Sequence, residues 1–195
     1  AQRAVFAELE NSRKPAEKAK ATNALKDATR RYIVFKERLK NFKVLDPACG
    51  SGNFLYLALQ SLKDIELRVG LEAEELGLER GFPEVGPQSM HGIELSPYAA
   101  ELARVTVWIG DIQWMLKHGF APSKEPILKT LDGIQCRDAL LAFPKREAEE
   151  TWRATQHIAG LLDVTTRGDF LLLPDISESD WPVVDAIIGN PPFLG

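Results

Sequence analysis

The chain has 195 residues, 45% of them apolar and 27% charged, which is the balance of one soluble globular domain and not of a disordered segment. A formal net charge of -4 argues against a strongly basic nucleic-acid binder, and two cysteines, Cys49 and Cys136, are too few for a disulfide framework. No apolar run is long enough to span a bilayer and no signal-peptide pattern opens the chain, so a reducing, cytoplasmic setting without a membrane is expected.

Residues 1–40 read as helix, rich in Ala, Lys, Arg and Glu, with Pro15 as the one break. Phe6, Leu9, Leu25, Ile33, Phe35 and Leu39 are its expected contacts with the rest. Residues 1–43 hold 12 Lys/Arg against 5 Asp/Glu, whereas the remaining residues hold 12 against 23. Such a basic segment is either a phosphate-binding arm or a solvated helix face. The chain begins at Ala1 without a methionine, which reads as a fragment or a processed form.

From Phe42 strands and helices alternate. "FKVLD" is a short buried strand ending at Asp46. Phe54, Leu55, Ala58, Leu59, Leu62 and Ile65 recur at helical steps, predicting a helix with one buried face. Residues 70–88, with four glycines and two prolines, read as an inserted loop, and "MHGIEL" (90–95) as a second strand. Ser96 and Pro97 make a helix start, a serine cap followed by proline at the first helical position. Tyr98, Leu102, Val105, Ile109, Ile112 and Leu116 then form an apolar stripe. "GIQCRDAL" (133–140) is a third strand running into a loop, a helix is expected around 147–162, and "PVVDAIIGNPPF" (182–193) is a fourth strand ending in a turn. The alternation predicts an α/β domain with a mostly parallel sheet (42–195) behind a helical N-terminal segment (1–41).

Ligands of such sheets bind beyond the carboxyl ends of the strands. Asp46, Glu94, Asp138 and Asn190 fall at those ends. Gly50 and Gly52, on a tight turn before a helix, let a ligand lie against bare backbone. Neither G-x-G-x-x-G nor a P-loop is present, so dinucleotide and ATP readings weaken, although a purely structural turn stays open. Glu94, at the second strand's end, suits a ribose hydroxyl or else simply faces water. Asp138 suits an adenine amino group on the same terms. In "NPPF" the two prolines, Pro191 and Pro192, hold the backbone extended, fixing the Asn190 side-chain oxygen and the Pro191 carbonyl as paired acceptors. Phe193 beside them offers a stacking face. That grouping suits methyl transfer to an amino nitrogen of an unstacked base, a reaction needing orientation more than a strong base.

Other chemistry falls away. Cys49 has no histidine near it in sequence and reads as packing; His91, His118 and His157 are far apart and no C-x-x-C occurs, so no metal site is expected. The deaminase pieces H-x-E and P-C-x-x-C are absent.

Together "DPACGSGNFLYLAL", "GIELSPYAAELARVTVWIGDIQWM", "QCRDAL" and "DAIIGNPPFLG", in that order, resemble S-adenosylmethionine-dependent N6-adenine DNA methyltransferases, and more narrowly the methyltransferase region of single-chain restriction-modification enzymes. The resemblance spans Asp46 to Gly195. It implies a Rossmann-like class I methyltransferase fold, with Asp46, Ala48, Gly50 and Gly52 at the methionine end of the cofactor and Pro47, Cys49, Asn53 and Phe54 also binding it. Glu94 would then bind the ribose, Leu95 would lie against the adenine, and Asp138 and Ala139 would hold its amino edge. Asn190, Pro191, Pro192 and Phe193 would grip the target adenine, with Asn190 also beside the cofactor. The partner implied is double-stranded DNA, bound through the full-length protein. The family's sheet has seven strands, so this chain is expected to carry the cofactor half and the first catalytic motif, leaving a bare apolar edge at 183–188. RNA and protein-glutamine methyltransferases share parts of the pattern, and a non-catalytic cofactor-binding module is the rival from another class.

Overall fold

The computed structural model describes residues 15–121, 131–142 and 177–190. Its first helix, α1 (Pro15–Lys40), lies against the loop after residue 76 through polar contacts. Tyr32 Oη donates to the Arg80 carbonyl at 2.7 Å, and Lys36 and Lys40 reach Glu84 at 3.4 and 2.7 Å. Of the contacts expected from α1 only Leu39 is buried; Leu25, Ile33 and Phe35 are exposed, and Phe6 and Leu9 lie outside the described residues.

Strand β1 (Val44–Asp46), with all three residues buried, leads through a tight turn into α2 (Asn53–Glu75). Leu55, Leu59 and Leu62 form the buried face of α2, while Phe54 and Ile65 stay exposed. The expectation of a loop from residue 70 is corrected: α2 continues to Glu75, straight through Gly70. Gly70 serves close packing and not a turn, since a Cβ there would meet Arg80 Cγ at 2.7 Å. The helix stops one turn later in a paired cap. Gly77, at φ +81°, donates to the Glu74 carbonyl, and Leu78 to that of Ala73. Two buried charges then hold the loop down. Glu66 accepts from the backbone N–H of Glu84 and Val85 at 2.8 and 3.0 Å, and Lys63 donates to the Val85 carbonyl at 3.1 Å and to Asp111 at 2.5 Å.

A short 3-10 turn (Pro87–Ser89) enters β2 (Met90–Glu94), followed by α3 (Pro97–Lys117). Ser96 caps α3 as expected, its Oγ accepting from Ala99 N at 3.4 Å. The apolar stripe on α3, however, is largely turned away from the core: Tyr98, Leu102, Val105, Ile109 and Leu116 are exposed. The inward positions are Ala100, Ala103, Val107, Gly110, Trp114 and Met115. Ala100, Ala103 and Gly110 are small where α3 approaches α2 closely; a Cβ on Gly110 would stand 2.6 Å from the Tyr56 ring.

Strand β3 (Ile134–Cys136) follows, then a two-stranded antiparallel ladder of β4 (Leu141–Ala142) and β5 (Ser177–Glu178), and finally β6 (Ala186–Ile187). The helix expected around 147–162 lies outside the described residues. The main sheet is parallel throughout, in the order β3-β2-β1-β6. This is the expected α/β, Rossmann-like arrangement. Successive strands step outward from β1 on one side until β6 returns to its other side. The crevice between β1 and β6 is therefore a topological switch point, where ligands of such sheets bind.

Candidate active site

Because the sheet is parallel, the carboxyl ends of its strands share one rim. β1 ends at Asp46 and β2 at Glu94; Asp138 stands two residues beyond β3 and Asn190 three beyond β6. Asn190 is exposed. Pro191, Pro192 and Phe193 lie outside the described residues.

The turn from Pro47 to Gly52 is pinned at several points. Cys49 N donates to the Ile93 carbonyl at 3.1 Å, folding the turn back across β2. The Cys49 side chain packs over Gly92, where a Cβ would come within 2.8 Å of Sγ. Burial, with the Asp46 and Glu94 charges beside it, pushes the Cys49 thiol up to about 12, so it is a packing group and not a nucleophile.

The two glycines of the turn serve different ends. Gly52 has φ +84°, and a Cβ there would press against Ala103 at 3.0 Å, so it lets the turn pack onto α3. Gly50 has φ +51° but faces open space, with nothing within 4 Å of where a Cβ would stand. Its backbone N–H donates to Glu94 Oε2 at 2.8 Å, while Glu94 Oε1 accepts from Ser96 N at 2.8 Å. One carboxylate thus ties the β1 turn to the start of α3.

Asp46 is wholly buried. Its Oδ1 accepts from Ala48 N at 3.1 Å, but Oδ2 is buried without a partner among the described residues. Burial raises the pKa of this carboxyl, the Ala48 hydrogen bond opposes the rise, and the Glu94 charge adds to it. Gly189, at the exit of β6, lies against the same carboxylate. Its φ is +148°, and a Cβ there would stand 2.7 Å from Asp46 Oδ1. The backbone leading to Asn190 therefore passes directly over Asp46.

Beyond β3, Asp138 Oδ1 accepts from Leu140 N and Leu141 N at 2.8 and 3.0 Å, fixing its own turn. Ala139 offers its carbonyl to Trp181 Nε1 at 2.6 Å. The fold therefore gathers Asp46, Ala48, Cys49, Gly50 and Glu94 into one bonded unit, with Asp138 and Ala139 beside it. Pro47 is half-buried in the turn, Asn53 and Phe54 open α2 with exposed side chains, and Leu95 is exposed as well.

Three features escaped sequence reasoning. Lys63 and Glu66 are charges carried on the buried face of α2, beside Leu59 and Leu62. Gly189, just before "NPPF", shows its role only once β6 pairs with β1. Arg137 carries no signal until residues 177–181 fold back against it. Among the described residues no group of three or more His, Cys, Asp or Glu side chains is placed to hold a metal. No described helix is long and apolar enough to cross a membrane.

Residues 21–195 match the protein family described as "MmeI, DNA-methyltransferase domain". The chain is 32% identical over 108 residues to the DNA methyltransferase A of Bacillus subtilis strain 168, a match covering 53% of this chain and 12% of that protein. It is 28% identical over 115 residues to a Methanocaldococcus jannaschii protein described as a type II restriction enzyme and methyltransferase, covering 56% of this chain and 9% of that one. The chain thus spans about a tenth of the length of these relatives. A solved structure of the Type IIL restriction-modification enzyme MmeI in complex with DNA is similar at 24% identity and a TM-score of 0.43, over 55% of this chain and 15% of that one.

Proposed function

The chain belongs to the MmeI DNA-methyltransferase domain family, and from that premise we propose that it transfers a methyl group from S-adenosylmethionine to the N6 amino group of adenine in double-stranded DNA. It does so as part of a cytoplasmic restriction-modification enzyme. Residues 42–195 are the cofactor-binding part of the methyltransferase domain together with the NPPF motif, and residues 1–41 are the segment in front of it.

The observation that supports this reading most is Asp46: a wholly buried carboxylate at the switch point, with one oxygen lacking a partner among the described residues. Such an atom calls for a cationic donor. The methionine ammonium of S-adenosylmethionine is one. Gly50, in the turn that follows Asp46, opens onto free space, and Glu94 retains acceptor capacity for ribose hydroxyls after serving two amides, so the residues present fit this cofactor.

When bound, S-adenosylmethionine supplies an electrophilic methyl carbon on a sulfonium. The chain's own task is orientation. Asn190 and Pro191 accept from the two N6 protons of the flipped adenine, which aims the nitrogen lone pair toward the methyl donor. Phe193 stacks on the ring. Methylation would leave a surplus proton on that nitrogen, and Asn190 and Pro191 would border its way out to water.

The test is to incubate the intact protein with methyl-labelled cofactor and either DNA or RNA, then digest to nucleosides. Label in N6-methyldeoxyadenosine is expected. Label on RNA alone, or in a cytosine product, would end this reading.

A further inference from the structure

On the S-adenosylmethionine reading above, we infer that Arg137 is a positioning residue that clasps the adenine-binding turn shut from outside the cofactor site. Its backbone N–H donates to the Glu94 carbonyl at 3.0 Å, so it is anchored at the ribose end. Its guanidinium then reaches across to residues more than 40 positions later in sequence. Nη1 donates to Ser179 Oγ and, at 3.3 Å, to the Asp138 carbonyl; Nη2 donates to the Asp180 carbonyl at 2.7 Å; Nε donates to Gln135 Oε1 at 2.6 Å.

Ser179 closes the circle, since its Oγ donates to the Asp138 carbonyl at 3.0 Å and its N–H to the Leu140 carbonyl at 2.9 Å. The Asp138 turn is thereby held on both sides. Its carboxylate Oδ1 is committed to the Leu140 and Leu141 amides, which leaves Oδ2 as the oxygen that meets the cofactor's 6-amino group. A planar guanidinium with several fixed donors suits this task, and a lysine ammonium does not. The clasp sets where Asp138 stands without touching the cofactor itself.

Recognition of the amino group is therefore what Arg137 and Ser179 control. The experiment is calorimetric titration of the intact protein with S-adenosylmethionine and with the analogue bearing hydrogen in place of the adenine 6-amino group. The native protein prefers S-adenosylmethionine. Arg137→Gln weakens binding of S-adenosylmethionine about tenfold, the loss of roughly one hydrogen bond to a charged acceptor. Binding of the analogue changes little, so the preference collapses. Arg137→Lys fails to restore it, and the milder Ser179→Ala shifts it in the same direction by a smaller factor. A residue that only supports the fold would weaken both ligands alike. Native protein that does not discriminate, or variants that keep the native preference, overturn the clasp and leave the cofactor reading intact. Native protein that binds neither ligand overturns that reading and the clasp with it.

Discussion

The backbone N–H of Gly50 donates to Glu94 Oε2 at 2.8 Å, although 44 residues separate the two. The same carboxylate holds Ser96 N at 2.8 Å through its other oxygen. Glu94 is thus a structural tie as well as a candidate ribose acceptor. Glu94→Ala frees both amides at once and is expected to lower stability by about 1–3 kcal/mol. It is also expected to abolish measurable binding of S-adenosylmethionine. Thermal unfolding and calorimetry report the two effects separately, and a variant that binds as tightly as native protein would remove Glu94 from the site.

Asp46 carries a pH dependence whose sign follows from its burial. Its folded pKa lies above the unfolded one, so stability from this group is present at low pH and is lost as pH rises through the folded pKa. Asp46→Asn removes the buried charge and should be more stable than native protein at neutral pH, the difference vanishing in acid. The same change should weaken S-adenosylmethionine binding. In native protein that binding should release a proton near the raised pKa and weaken as pH falls through it. Unfolding midpoints across pH, and calorimetry in buffers of different ionisation heat, check both statements. A stability difference that does not vary with pH would count against them.

The two turn glycines should respond differently to alanine. Gly52→Ala meets Ala103 at 3.0 Å and also forces a left-handed backbone, so a loss of about 2–4 kcal/mol is expected. Gly50→Ala incurs only the backbone strain, about 1–2 kcal/mol, because nothing stands within 4 Å of its Cβ. On the proposed cofactor reading that Cβ would intrude on the ligand. Denaturant unfolding should rank Gly52→Ala as the less stable variant, while calorimetry should show Gly50→Ala folded but impaired in binding.

Lys63 is 2% exposed, pairs with Asp111 at 2.5 Å, and sits 4.8 Å from the centre of the Trp114 ring. Lys63→Met leaves Asp111 and the Val85 carbonyl without this partner. A loss of about 3 kcal/mol is expected, since removing one member of a buried pair is costly. Adding Asp111→Leu should recover much of it. A single variant as stable as native protein in denaturant unfolding would show that the pair holds nothing in place.

The cysteines supply a test of the turn's packing. Cys49 is buried with its thiol pushed up to about 12, whereas Cys136 is exposed. A thiol reagent at pH 7 should modify Cys136 alone in the folded protein and Cys49 only after unfolding. Prompt modification of both, read by mass spectrometry, would contradict the packed turn.

The sequence by itself located the four parallel strands, because each holds a short apolar run closed by a polar residue or turn, but not their lengths: the third pairs only over Ile134–Cys136 and the fourth only over Ala186–Ile187. It also determined the start of α3, because Ser96 and Pro97 act within one turn of the backbone. That Asp46, Glu94, Asp138 and Asn190 share one rim then followed from parallel topology. Tertiary structure decided what local pattern cannot express. Gly70 looked like a loop residue, but its missing side chain admits Arg80 and the helix runs on. On α3 the large apolar residues defined the legible stripe, while close approach to α2 required small ones inside, so periodicity was right about the helix and wrong about its buried face. Lys63 and Glu66 find their buried partners, Asp111 and the loop backbone, only in the fold. Gly189 and Arg137 acquired their roles only when β6 returned beside β1 and residues 177–181 closed on the Asp138 turn. Local backbone chemistry is written in adjacent residues; close approach and charge pairing depend on residues that only folding brings together.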